Sequence, residues 1–128
     1  MSNRAWTQTV VEIQCVTGPV MATAFIHRDR PGLALVDRGG DWTVTHVASG
    51  MAIAPHKGHL ARANIPSRRD AVAFMRRLAP LADWTEDGPT LVAMKPTLTP
   101  LINAARAVVF GAQWDEETND TNDTWEYA

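Results

Sequence analysis

The chain has 128 residues, 45% of them hydrophobic and 20% charged, enough for one domain with its own core and too few for two ordinary ones. Its single cysteine, Cys15, excludes an intrachain disulfide and a zinc site built from cysteines. The net charge of −2 averages two unlike parts: six of the fourteen acids lie in 115–128, where there is no Lys or Arg, so the preceding residues carry 12 basic against 8 acidic side chains, a net of +4.

Taken in chain order, Thr9–Val16 reads as a strand with Val11, Ile13 and Cys15 on one face, because side chains alternate across a strand. Gly18-Pro19 punctuates it, and Val20–His27 reads as a second strand, with Met21, Thr23 and Phe25 alternating against Ala22, Ala24 and Ile26. After the Pro31-Gly32 turn come three short strands, Leu33–Val36, Trp42–Val47 and Met51–Ala54, joined by Gly39-Gly40 and Ser49-Gly50. The Gly39-Gly40 pair suits a tight hairpin and Ser49-Gly50 reads as the next turn, so 33–54 is expected to be a three-stranded meander. Pro55–Asn64 has neither period and reads as a loop.

A helix is expected to open at Ser67, whose hydroxyl can cap the Asp70 N–H. Ala71, Phe74, Met75, Leu78 and Ala82 form its apolar stripe. Pro80 either ends the helix near Leu78 or kinks it, and Trp84 is expected to pack back onto the core. Thr85–Thr90 reads as a loop and Leu91–Met94 as a possible short strand. Thr99-Pro100 reads as the start of a second helix, with Leu101, Ala104, Ala105, Val108 and Ala112 inward and Gly111 near its end.

Strands preceding helices point to an α+β fold: an antiparallel sheet of about five strands with two helices packed on one face. The expected core is Val11, Ile13, Phe25, Leu35, Trp42, Val44, Ile53, Phe74, Met75, Leu78, Leu101 and Val108. Residues 1–114 form the expected domain, and 115–128, with its Thr-Asn-Asp repeat, reads as an acidic polar tail that is flexible unless docked. No run approaches the ~20 apolar residues of a membrane span, and Met1–Val10 has no apolar stretch suited to a signal peptide. The expectation is a cytoplasmic protein that needs no membrane.

The strongest charge signal is Lys57, Arg62, Arg68, Arg69, Arg76 and Arg77, six of the twelve Lys and Arg within 21 positions, against Asp70 alone. Arg68 and Arg69 stand at a helix start, where the backbone already favours anions, and Arg76 lies two turns beyond Arg69. Arginines on the exposed face of an amphipathic helix most simply solvate it; phosphate is the obvious ligand if the stripe binds one, and an acidic protein partner is the third reading. The order of a meander followed by a helix opening Ser67-Arg68-Arg69-Asp70-Ala71 is similar to double-stranded-RNA-binding domains, whose final helix opens with Ser, two basic residues and Ala, and to three-strand-plus-helix DNA readers. The resemblance spans 33–81 and implies a nucleic-acid ligand. It departs from the RNA-binding pattern in two ways: Thr9–His27 reads as strands where a helix stands in that family, and Val72, Phe74 and Met75 replace its small-residue face.

Catalytic and metal signatures are sparse. His56-Lys57-Gly58-His59 offers two histidines without a third ligand, even with His27 and His46 elsewhere. Cys15 shares a strand face with apolar residues, Ser49 sits in a turn, and Glu86 and Asp87 are adjacent and so point apart. No phosphate-cradling glycine loop is present. No enzyme, cofactor or metal is therefore expected. The tail is the second candidate surface: Trp114, Asp115, Glu116, Glu117, Trp125 and Tyr127 mix acids with aromatics. Such a segment can dock on a basic partner or on this protein's own basic helix, masking it; a solubilising tail with incidental aromatics is the equal alternative. Two functions lead: a nucleic-acid-phosphate binder working through the basic helix, or an adaptor or inhibitor of another protein, of the accessory type carried by phages and mobile elements, working through the tail; an enzyme using Cys15 or the histidines is a minor third.

Overall fold

Five strands, β1 (Trp6–Cys15), β2 (Gly18–His27), β3 (Leu33–Asp37), β4 (Trp42–His46) and β5 (Met51–Ile53), follow one another as an antiparallel meander in the computed structural model, which describes residues 5–15, 17–53 and 64–110. The meander expected at 33–54 is present over 33–53, the part of it the structure describes, and β1 and β2 extend it. The helices are α1 (Arg68–Leu78), α2 (Gly88–Ala93) and α3 (Lys95–Phe110). The architecture is α+β. Among the described residues no helix is long and apolar enough to cross a membrane.

The pairing register sorts the side chains onto two faces. Phe25 opposes Leu35, Leu35 opposes Val44, and Val44 opposes Ile53. This face meets the helices: Leu33, Leu35, Val44 and Ile53 share a buried cluster with Phe74, Met75, Leu78, Leu98, Ile102 and Phe110. α1 lies against β3 and β4, and α3 packs on α1. The opposite face carries smaller residues: Val11, Ile13, Ala24, Ala34 and Val36 form a second buried cluster. Thr43 and Thr45 are buried on it too, their hydroxyls 3.0 Å apart in a mutual hydrogen bond. Burial of β3 and β4 on both faces explains why 33–36 and 42–45 are apolar or hydroxylic.

The sheet curls until its two edges meet. Gln14 N–H of β1 donates to the Gly50 carbonyl, at 2.9 Å, just before β5. Gly50 has φ +74°, and a Cβ there would stand 2.9 Å from the Glu12 carbonyl oxygen, so only glycine lets β1 pass this close. Gly32 has φ +90° and sits beneath the Trp84 backbone, where a Cβ would overlap the Trp84 carbonyl. Trp84 itself is buried and its Nε1–H donates to the Leu78 carbonyl at 2.8 Å. The strap after α1 is thereby pinned to the start of β3, and Trp84 packs on the core as expected.

Several expectations need correction. Leu91–Met94 is not a strand: α2 runs through Leu91 to Ala93, capped by Asp87, whose carboxylate accepts from Thr90 N–H at 2.8 Å. Gly88-Pro89 serves here as a first helical turn, a position proline tolerates because its missing N–H is unpaired there anyway. Among the described residues three α-helices follow the sheet rather than two; α1 lies on β3 and β4, and α3 packs on α1. α3 begins at Lys95, four residues before Thr99, and takes Pro100 into its interior. Its inward face is Leu98, Ile102, Ala105 and Phe110, while Leu101 is 41% and Val108 58% exposed. The two faces compete, and the one presenting Leu, Ile and Phe buries more apolar surface than Leu, Ala and Val, at roughly 25 cal/mol per Å². Phe25 and Trp42, expected in the core, are half-buried at its rim.

At Pro80 the helix ends: α1 stops at Leu78 and Ala79–Leu81 form one 3₁₀ turn. Lys57 and Arg62, with His56 and His59, lie outside the described residues, as do Val16, Ala54, Gly111, Ala112 and the tail, Trp114, Asp115, Glu116, Glu117, Trp125 and Tyr127 included.

Candidate anion-binding cleft

Ser67 begins the site. Its backbone is extended (φ −112°, ψ 127°) and its hydroxyl accepts the Asp70 N–H at 3.2 Å, so α1 starts one residue later with Arg68. That fixed start sets the phase of everything on the helix. Phe74, Met75 and Leu78 turn inward, and Arg69, Val72, Ala73 and Arg76 fall on one lateral stripe, because residues three and four apart are neighbours on a helix.

This stripe faces Trp6 of β1. Trp6, Arg68, Arg69, Val72, Ala73 and Arg76 line one open cleft of about 760 Å³. Its apolar floor comes from Val72 and Ala73, its aromatic wall from Trp6, and its charge from three guanidinium groups. Among the described residues no carboxylate lies within ion-pair distance of Arg68, Arg69, Arg76 or Arg77; the ion pairs there are His27–Asp29 and Arg28–Asp29, each 3.9 Å apart. The positive end of α1 adds to the same potential.

Two aromatic contacts order the neighbourhood. The Arg68 guanidinium lies over the rings of Phe25 and Trp42, 5.7 and 5.6 Å from their centroids, within cation–π range. Trp6 opposes His27 in the strand register, and the two rings meet edge-on at 4.9 Å and 85°. His27 is held by the Asp29 N–H, which donates to its Nδ1 at 3.1 Å. Burial first, then the positive charge of Arg30, lower the His27 pKa below its ordinary 6.5.

Of the six basic residues expected to act together, the fold brings Arg68, Arg69 and Arg76 to one cleft. Arg77 is exposed but does not line it. Trp6 lines the cleft, and Phe25 and Trp42 hold Arg68 beside it; none of the three is marked as such by the sequence. They come from three strands, so no linear spacing joins them, although the alternation of Trp42 with Val44 already puts that ring on the helix-facing side.

Elsewhere, His46 is buried and bridges two elements: Nε2–H donates to the Glu86 carbonyl at 2.7 Å, which leaves Nδ1 to accept the Ser49 hydroxyl at 2.8 Å. Ser49 Oγ in turn accepts the Met51 N–H at 3.2 Å. Here the histidine ties the β4–β5 turn to the strap before α2. Cys15 lies 3.8 Å from the Arg38 guanidinium on the far face of the sheet. Among the described residues no group of three or more His, Cys, Asp or Glu converges as a metal site would. No protein-family model matches the chain, and neither a curated protein nor a solved structure matches it.

Proposed function

We propose that this is a non-enzymatic binding protein that holds nucleic-acid phosphates in the cleft between α1 and Trp6. The observation that carries this reading is the convergence of Arg68, Arg69 and Arg76 on one cleft, with no carboxylate within ion-pair distance among the described residues. Arginines with no acidic partner among the described residues, beside an apolar floor, suit phosphate, because the planar guanidinium fork presents parallel N–H donors to two phosphate oxygens. The acidic segment 115–128 regulates access by competing for the same guanidinium groups. Its charge is complementary, and Phe110, the last described residue of α3, rests on Phe74 of α1 at 5.2 Å. The residues from 111 to 128 span roughly 60 Å when extended, far more than the ~16 Å length of α1.

Fluorescence anisotropy with labelled single- and double-stranded DNA and RNA, at low and high salt, tests the proposal. Binding is expected to weaken steeply with salt. Arg69→Gln with Arg76→Gln is expected to lower the log–log salt slope by about 1.4 on a single strand, roughly 0.7 for each phosphate that is no longer neutralised. Arg77→Gln leaves it unchanged. Absence of binding at low salt, with and without 115–128, overturns the reading.

A further inference from the structure

We infer that the cleft takes a single strand, with a nucleobase stacked on Trp6 and successive phosphates on Arg69 and Arg76. This inference rests on the phosphate-binding reading above and goes beyond it by naming the form of the nucleic acid.

The argument starts from which ring is available. Phe25 and Trp42 are already covered by the Arg68 guanidinium. Trp6 is the aromatic residue that lines the cleft. Its plane is set by the edge-on His27 ring and by the strand register that places the two opposite one another. A ring held in this way offers a preformed stacking surface, and stacking accepts any base because every base has a π-face. Across the cleft stand Val72 and Ala73. Neither carries a polar group that a base edge could bond, and both are small enough to leave a slot. The volume, about 760 Å³, is within the usual range for a bound small molecule, roughly 300–1,000 Å³.

The charges then select a strand. Arg69 and Arg76 are seven residues apart, which is roughly 10.5 Å along the helix and nearly the same angular position. They frame the Val72–Ala73 floor from both ends, one guanidinium for the phosphate on each side of a bound base. A duplex cannot use this cleft without flipping a base out of its stack, which requires unpairing and unstacking. The cleft therefore discriminates against duplexes through the energy of opening them, with no base-specific contact.

The test uses the full chain and four probes: a labelled thymidine oligonucleotide, the same oligonucleotide with its central bases removed to leave abasic sugars, the corresponding duplex, and thymidine monophosphate as competitor. The intact strand is expected to bind roughly five- to a hundredfold more tightly than the abasic strand, the range that one or more stacked bases contribute, and more tightly than the duplex. Thymidine monophosphate is expected to compete only weakly. In Trp6→Ala the intact and abasic strands bind alike; in Trp6→Phe a reduced preference for the intact strand persists. The ligand-side comparison stands on the wild-type chain even if Trp6→Ala fails to fold. Equal, salt-sensitive binding of intact and abasic strands overturns the stacking inference while leaving phosphate binding in place. Monophosphate binding as tight as the oligonucleotide overturns the strand. No binding of any probe overturns the phosphate reading itself.

Discussion

The Arg68 guanidinium lies 5.6 Å over the ring of Trp42, at the point where α1 begins and the β4 strand begins. One contact thus joins the first residue of the basic helix to the sheet and fixes where the neighbouring Arg69 and Arg76 can reach. The second ring, Phe25, lies 5.7 Å from the same group, so Arg68 is held against two rings at once. Arg68→Ala is expected to lower stability by about 1 kcal/mol, the range for a partly exposed cation–π contact, read as a lower denaturant midpoint with unchanged slope. Its effect on oligonucleotide affinity should exceed that of Arg77→Ala, which removes an equal charge outside the cleft.

The acidic segment gives a prediction of opposite sign. A chain ending at Trp114 lacks the six acids of 115–128, and with them the competitor proposed for the arginines. It is expected to bind single strands more tightly than the full chain, with the gain largest at low salt, since exposed charges separated by more than ~10 Å are screened at 0.1 M. Adding the 115–128 peptide in trans should restore the weaker binding. Equal affinity of the two chains over the whole salt range would remove the segment from the mechanism.

Gly32 and Gly39 separate two causes of glycine dependence. Both have positive φ, +90° and +80°, but a Cβ at Gly39 meets nothing within 4 Å while one at Gly32 would overlap the Trp84 carbonyl carbon and oxygen. Gly39→Ala carries only the left-handed backbone penalty, roughly 1–2 kcal/mol. Gly32→Ala must also lift the Trp84 strap, exposing a buried indole and breaking its bond to Leu78, and is expected to cost about 4 kcal/mol or more. Thermal unfolding of the two variants checks the difference.

The parts of the fold that are legible in the sequence are those where one local rule has no rival. Trp42, Val44 and His46 alternate between two glycine-bearing turns, and the strand is there. Ser67 stands three before Asp70, and the cap forms. Arg69 and Arg76 are readable as one stripe because both sit on one helix. Where a residue serves two rules, the sequence alone misleads. Gly88-Pro89 is turn punctuation and also a helix's first turn, and Asp87 beside it decides for the helix. Pro100 favours a helix start, yet the packing of Leu98, Ile102 and Phe110 outweighs the one backbone bond it removes. The aromatic residues at and beside the cleft are unreadable for a different reason: Trp6 reaches His27, and Phe25 reaches Trp42, only through the register of paired strands, which is a tertiary fact.

His27 supplies a pH dependence. Its folded-state pKa lies below the ordinary 6.5 through burial and the nearby positive charge of Arg30. The unfolded chain therefore binds a proton more readily, so stability rises with pH across this window. The contribution is fully present above pH 6.5 and is lost as pH falls through the folded-state value. Between about pH 7.5 and 5.5 the wild type is expected to lose more stability than His27→Gln, which has no titrating group there. Guanidinium unfolding of both chains at each pH isolates the effect of His27, because the remaining histidines are common to them. The same edge contact predicts a functional signature. His27 sets the Trp6 plane at 85°, so replacing it should reduce the preference for intact over abasic strands while leaving the salt slope, which the arginines set, where it was.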